Sequence, residues 1–393
     1  MQIIKTMVSV LEALKTIEEI EVELLTKEIL LKESKGCILA SNMISPINMP
    51  PFRQSAMDGF AINGLDSLTF QIVGEMKAGD EIQIDLKKFE AIKIFTGAAV
   101  PDQAMAVIPI EKCKIENGRL ILLELPKWND NIRPIGEQIQ IGDIAMQKGD
   151  ELNPAAIGFL SCLGITHVTV YKKPSVGIVI TGNELVNPGV KLTFGKVYES
   201  NGIMLQSALD NDAEEINIYR VKDDQELTTT TIKKALSEND IILISGGISV
   251  GDYDFVYDAL QKLNIKTLFY KVNQKPGKPL YLGLKDSKIV YALPGNPAAS
   301  LSCFYIYVLP IIKKMIGQSL DTFKRVPISH DYIVKNSRTQ FLKGYLDKEK
   351  VTILSHQNSN MLNTFAFANV LVKVEAGEYI IKSNTTVDIY HIN

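Results

Sequence analysis

The sequence predicts a multidomain α/β plus β protein, and three observations carry that expectation. Between Ser175 and Gly317, apolar runs alternate with helical patterns over about 140 residues, a normal size for one domain with a parallel-type sheet. Ahead of it, residues 27 to 140 hold short β-like runs punctuated by Gly, Pro, Asp and Asn. Behind it, residues 325 to 393 alternate apolar and polar, as in a small β-barrel or sandwich. A chain of 393 residues is also too long for one ordinary core, so two to four domains are expected.

Each element follows from its local pattern. Residues 1 to 26 read as an amphipathic helix with Val10, Leu14 and Ile17 on one face, and Glu18, Glu19, Glu21 and Glu23 as a solvated face. The β-like runs are Phe70 to Val73, Ala91 to Phe95, Ala106 to Ile110 and Leu120 to Leu125, expected to pair mostly antiparallel. A Pro-rich crossing from Pro46 to Phe52 leads into Ser55-Ala-Met-Asp-Gly-Phe-Ala61. Residues 141 to 172 are partly helical, with Pro154 near a helix start, and are expected to pack with the N-terminal helix. In the α/β region the strands are Ser175 to Ile180, Ile241 to Ile244 and Ile289 to Leu293. The helices there are Ser200 to Leu209, Gln225 to Leu236, Asp254 to Leu263 and Ala298 to Ile316. Asn369 to Glu375 and Glu378 to Lys382 are the clearest C-terminal strands, with Gly377 and Asn384 supplying turns.

Composition excludes some classes. A formal charge of −3 argues against a protein held to nucleic acid by bulk charge. Cys37, Cys113, Cys162 and Cys303 are far apart and form no C-x-x-C pair, which argues against zinc or Fe–S binding and fits a reducing cytoplasm. Val8 to Ile20 is interrupted by Glu12, Lys15, Glu18 and Glu19, unlike a secretory leader. Leu301 to Ile312, the most apolar stretch, is too short for a membrane span and contains Pro310. A cytoplasmic protein without membrane or nucleic-acid partners is expected.

Chemistry concentrates at predicted strand ends. Leu243-Ile-Ser-Gly-Gly-Ile-Ser-Val-Gly-Asp-Tyr-Asp254 carries an apolar strand into a glycine turn, two acids and a helix start. Open α/β sheets place ligands there, because glycines let the backbone approach an anion and the helix N-terminus favours negative charge. Acids beside a phosphate make sense mainly when a cation such as Mg2+ bridges the two. Thr181-Gly-Asn-Glu-Leu185 and Leu293-Pro-Gly-Asn-Pro297 end two further strands, and Lys275-Pro-Gly-Lys-Pro279 presents two ammonium groups on a rigid turn. Together they point to an anionic ligand with a metal; taken singly, each is an ordinary surface loop.

In order and spacing, the Ser-Ala-Met-Asp-Gly motif, the Ser-Gly-Gly-x-Ser-Val-Gly loop, Lys-Pro-Gly-Lys-Pro and Leu-Pro-Gly-Asn-Pro resemble the molybdopterin molybdenumtransferases, the MoeA proteins and the E domain of gephyrin. The resemblance covers essentially the whole chain. It implies a discontinuous helical N-terminal domain (1–26 and 141–172), an inserted β domain (27–140), a central α/β molybdopterin-binding domain (173–324) and a C-terminal β-barrel (325–393). It implies molybdate and adenylylated molybdopterin as substrates and Mg2+-dependent release of AMP. It further implies a homodimer with the active site at its interface, and a molybdopterin adenylyltransferase acting upstream.

Residue by residue, Asp58, Glu184, Asp223 and Asp254 match the family's acidic set. Mg2+ takes only one or two carboxylates beside phosphate oxygens and water, which makes Glu184 and Asp254 the metal candidates. Asp58 is expected from the other subunit; its plain reading is a turn cap before Gly59. Asp223 is preferred to Asp224 from its spacing to the glycine loop. Lys275 and Lys278, with Lys271, would pair with phosphate or molybdate oxygens. Gly246, Gly247 and Ser249 would bind the pterin or phosphate end. Pro294 and Pro297 shape the pocket, and Thr96, Arg133 and Ser359 fall at further family positions whose plain reading is a turn or surface contact. Two departures stand out: Asn183 and Gln138 replace carboxylates common in the family. An amide brings no charge to a metal, leaving either a weaker cation site or one that relies wholly on Glu184 and Asp254. Beside the insertase, two alternatives are a non-catalytic molybdopterin-binding scaffold or carrier, and a molybdopterin adenylyltransferase, which would need only the α/β domain.

Overall fold

The computed structural model describes residues 7–82, 84–248, 255–318 and 323–392. The chain divides into two compact units, Glu28–Val170 and the combination of Met1–Lys27 with Tyr171–Asn393.

The first of these units is built on a six-stranded sheet. Its strands lie in the order Ala106–Pro109, Gly59–Ile62, Glu90–Ile94, Thr69–Met76, Arg119–Leu122, Cys113–Glu116. All neighbours are antiparallel except Thr69–Met76 and Glu90–Ile94, which run parallel. Apolar residues cover both faces, with Ala61, Ile92 and Val107 in one cluster and Phe60, Ile62 and Ile108 in the other. Burial on both sides explains why Gly59–Ile62 and Ala106–Pro109 read as near-continuous apolar runs. The last run is shorter than expected and ends at Leu122, with Leu123 and Leu125 exposed. Gly59 has no room for a side chain, since a Cβ there would overlap the carbonyl oxygen of Ile108 on the neighbouring strand. The same unit holds a helix at Pro154–Cys162, opened by Asn153, whose side chain accepts from the Ala156 amide at 2.9 Å, with Pro154 in its first turn. Its buried residues pack with Leu31, Leu39 and Val168.

Helix α1, Val10–Glu19, opens with a reciprocal capping box between Ser9 and Glu12. Its buried stripe of Val10, Ala13 and Ile17 joins the core of the α/β domain. Ala13 holds the middle of the stripe, and Leu14 is only partly buried. Lys314 closes the end of the helix by donating to the carbonyls of Glu18 and Ile20, at 2.8 and 2.6 Å.

The α/β domain has six strands: β1 Ser175–Thr181, β2 Glu215–Val221, β3 Ile241–Ser245, β4 Lys266–Tyr270, β5 Tyr281–Lys285 and β6 Lys288–Leu293. Their order is β2-β1-β3-β6-β5-β4. The first four are parallel, and the β4–β5–β6 end is antiparallel. Helices α2 Asn201–Leu209, α3 Gln225–Glu238 and α4 Phe255–Lys262 are crossovers. Helix α5 runs Pro297–Met315, with a π-helical stretch at Phe304–Val308. It extends beyond the apolar stretch read from sequence and by length and composition could cross a membrane. However, 72% of its apolar window is buried in the protein, as in a core helix. Sheet order reverses between β1 and β3, so the carboxyl ends of β1, β3 and β6 flank a natural ligand crevice.

C-terminal strands continue the same unit. Thr339–Asp347 lies between Gln274–Lys275 and Val370–Val374, followed by Thr386–His391 and Lys324–Pro327, with Lys350–Ile353 also beside Thr339–Asp347. Tyr332–Asn336 and Gly377–Ile381 form a separate antiparallel pair. Val334, Val351, Val372 and Ile389 belong to one apolar cluster. The two-residue strand Gln274–Lys275 pairs in parallel with Thr339–Gln340, which ties the Lys-Pro-Gly-Lys turn to this sheet.

Candidate functional site

A cavity of about 780 Å³ opens at the carboxyl ends of β1, β3 and β6. Three strand-end loops build most of it. At β1, Asp223 holds the Thr181–Asn183 turn. Its two carboxylate oxygens accept from the Thr181 hydroxyl at 2.6 Å and from the Asn183 amide at 2.9 Å. The Asn183 side-chain oxygen accepts in return from the Asp223 amide at 3.3 Å. Asp224 faces a different task, capping α3 through the Leu227 amide at 2.8 Å. Glu184, on the same turn, is exposed and lines the cavity.

At β3, Gly246 and Gly247 take consecutive positive φ angles of 94° and 61°. A Cβ on Gly246 would press to 2.7 Å from the Thr181 carbonyl oxygen, so the tight approach of the two loops requires glycine. At β6, Pro297 occupies the first turn of α5, where its missing N–H costs nothing. Asn296 makes no side-chain cap there; it donates instead to the Ser359 hydroxyl at 3.0 Å. Ser359 is held again through its carbonyl, which accepts from the Ala299 amide at 3.2 Å. Its loop is pinned from below by Lys343, only 4% exposed, which donates to the carbonyls of His356, Asn358 and Met361.

The Lys275 turn forms another wall. Gln274 is fully buried beneath it, donating to the Gly277 carbonyl at 3.1 Å and accepting from the Tyr307 hydroxyl. Burial pushes the nearby Cys303 thiol up to about 12, so it stays neutral. Arg338 lines the same wall and donates to the Gln274 carbonyl at 3.3 Å.

Of the residues expected from sequence, Glu184, Asp223, Gly246, Gly247, Lys275, Pro294, Pro297 and Ser359 all line this cavity. Lys271 and Lys278 do not. The Lys271 ammonium lies 4.6 Å from the centre of the Tyr270 ring, and Lys278 is exposed. Ser249 and Asp254 lie outside the described residues. Asp58, Thr96 and Arg133 belong to the Glu28–Val170 unit. There one Asp58 oxygen accepts from both the amide and the hydroxyl of Thr96, at 2.7 Å each. The Thr96 amide, then its hydroxyl, hold the Asp58 carboxyl below the ordinary range. Arg133 is exposed and pairs with Gln54, whose neighbour Ser55 pairs with Ile132.

Sequence reasoning missed Arg338, Gln357, Glu199 and Asn201, which also line the cavity. Arg338 and Gln357 lie in the C-terminal region with no motif around them. Glu199-Ser-Asn-Gly202, directly before a helix, was the available signal for the other two. Among the described residues no group of three or more His, Cys, Asp or Glu could hold a metal. A Mg2+ ion that keeps its waters and takes phosphate oxygens would need only one or two protein carboxylates, and Glu184 is an exposed carboxylate in the cavity lining.

A glycine-lined crevice at the switch point of an open α/β sheet, edged by one carboxylate wall and one cationic wall, is a site suited to phosphate-bearing ligands. The comparisons with known proteins narrow this class. Residues 8–164 match the model of the MoeA N-terminal region (domain I and II), 177–314 the probable molybdopterin binding domain, and 325–392 the MoeA C-terminal region (domain IV). The chain is 32% identical to the molybdopterin molybdenumtransferase of Staphylococcus epidermidis, over 98% of this chain and 96% of that one. It is 33% identical to that of Haemophilus influenzae, over 96% and 97%. The crystal structure of a molybdopterin biosynthesis MoeA protein from Pyrococcus horikoshii superposes with a TM-score of 0.85 at 27% identity, covering 98% and 99% of the two chains. The chain belongs to the MoeA family, the molybdopterin molybdenumtransferases.

Proposed function

We propose that this chain acts in molybdenum cofactor biosynthesis as a transferase, inserting molybdate into adenylylated molybdopterin with Mg2+-dependent release of AMP. One observation carries the reading: a single cavity joins the Gly246–Gly247 turn, the Glu184 and Asp223 loops, and a cationic wall of Lys275 and Arg338 beside Ser359. Gly246 and Gly247 turn backbone N–H groups toward the pyrophosphate. Lys275 supplies a point charge and Arg338 a planar fork for a tetrahedral oxyanion, with Ser359 adding a hydroxyl. Asp223 keeps the Thr181–Asn183 turn in place. Glu184, with Asp254 as the second candidate, would hold a Mg2+ ion, which would supply charge neutralisation and Lewis acidity at the phosphorus. Water adds to the AMP phosphorus as the anhydride P–O bond breaks, so AMP leaves and molybdopterin keeps its own phosphate; the two dithiolene thiols bind molybdenum as one molybdate oxygen leaves with their protons as water. The amide at Asn183 is compatible with this, since its side-chain oxygen accepts from the Asp223 amide.

We further infer a cytoplasmic homodimer in which Asp58 serves the cavity of a partner copy, with residues 173–324 as the ligand-binding body. A molybdopterin adenylyltransferase supplies its substrate, because the substrate already carries AMP. The test is AMP release by the purified protein from adenylylated molybdopterin, with and without molybdate and Mg2+. Release that needs both, with active cofactor formed, supports the proposal. Substrate binding without release would turn it into a carrier.

A further inference from the structure

We propose that Glu199 and Asn201 form a subsite for the 2-amino-pyrimidin-4-one edge of a pterin, read by two acceptor oxygens in the wall of the cavity. This rests on the functional reading above and assigns the uncharged end of the substrate.

Glu199 is 3% exposed. Its Oε1 accepts from the Gly202 amide at 2.7 Å and so caps the start of α2, where Ser200 makes no side-chain cap. Its Oε2 is buried and, among the described residues, has no hydrogen-bond partner. Asn201 stands two residues on. Its Nδ2 donates to the Ser245 hydroxyl and the Gly295 carbonyl, at 2.8 Å each. A carbonyl can only accept, so this network fixes the orientation of the amide and leaves Oδ1 as its free atom. That oxygen is also buried and without a partner among the described residues. Both residues line the cavity.

A buried acceptor left unmade costs about 1–3 kcal/mol, and more when charged, so two together call for a ligand that supplies donors. The chemistry of that ligand is restricted. A phosphate or molybdate would meet a carboxylate and be repelled; those anions belong with Lys275 and Arg338. A metal ion buried here, away from the phosphates and waters that complete a Mg2+ shell, demands more than one carboxylate oxygen and one amide oxygen, and the described residues offer no group of three or more metal-binding side chains. What fits is a neutral planar group with adjacent N–H donors, because a carboxylate accepting from an amidine-like edge makes a charge-assisted pair. The exocyclic amine and ring N–H of a pterin are such an edge.

The experiment compares two fluorescent probes, pterin and lumazine, the second carrying an oxo group where pterin has its 2-amino group. Fluorescence titration of the full-length wild-type protein should show pterin binding about tenfold or more tighter than lumazine. In Glu199→Gln that preference should fall to about twofold or less, because the amide can turn a donor toward the amine. Thermal unfolding of the variant checks its fold. Asn201→Ala, expected to weaken pterin more than lumazine, carries the test if Glu199→Gln does not fold. Equal wild-type affinities, or no pterin binding at millimolar probe, overturn the proposal while leaving AMP release untouched. Failure of AMP release with the pterin preference intact overturns the transferase reading alone.

Discussion

Asp58 shows how one hydroxyl and one amide set a charge. Its carboxyl is depressed first by the Thr96 amide and then by the Thr96 hydroxyl. A depressed folded value means that this interaction stabilises the fold above the unfolded pKa of about 3.9 and is lost as pH falls through the folded value. Thr96→Val removes only the hydroxyl. The Asp58 titration, followed by carboxyl NMR, should therefore move part of the way up toward the ordinary value; no movement would mean that the amide alone sets it. Asp223 acts by position. Asp223→Asn keeps one acceptor oxygen where two are used. AMP release should fall about tenfold or more, with the unfolding midpoint little changed. Wild-type turnover would remove Asp223 from the machinery. At this scale, Glu184, Gly246 and Lys275 were legible as cavity-lining residues because several motifs occur together in order and spacing, whereas each alone reads as a surface loop. Glu199 and Asn201 were not legible, because an unmade hydrogen bond is a property of packing.

Among the elements, strands buried on both faces announced themselves. Residues 241–244 are an unbroken apolar run and form most of β3. The strand β2 did not, since Glu215, Asn217 and Arg220 interrupt its apolar residues and none of its residues is fully buried. Helix α1 was recognisable by its period, yet the core it joins is set by contacts hundreds of residues away, which no local pattern contains. Two substitutions test the elements. Gly59→Ala forces a methyl into the Ile108 carbonyl and should cost about 1–3 kcal/mol or more in chemical denaturation. Lys343→Met strands three carbonyls in the loop that bears Ser359. It should cost about 1–3 kcal/mol and raise KM for molybdate more than it lowers kcat. An unchanged KM would separate this loop from oxyanion binding.

For the whole molecule, the proposed sharing of one active site between two copies makes a strong prediction. Asp58→Ala and Glu184→Ala should each be inactive alone. Mixed and allowed to exchange subunits, they should recover up to about a quarter of wild-type turnover per site, as random pairing leaves one intact site in half of the dimers. No recovery, with exchange verified by mass, would mean that each copy uses its own Asp58. The order of regions along the chain was readable because each has its own period and punctuation. Membership of compact units was not, since residues 1–27 join a body that resumes only at Tyr171.

The pairing of Gln274–Lys275 with Thr339–Gln340 also bears on how such proteins can be recombined. A hybrid that received a relative's terminal region would inherit a foreign partner for the strand that aims Lys275, and a foreign counterpart to Arg338. Its cationic wall would be assembled from two lineages, so a successful graft would have to carry residues 274–279 along with it.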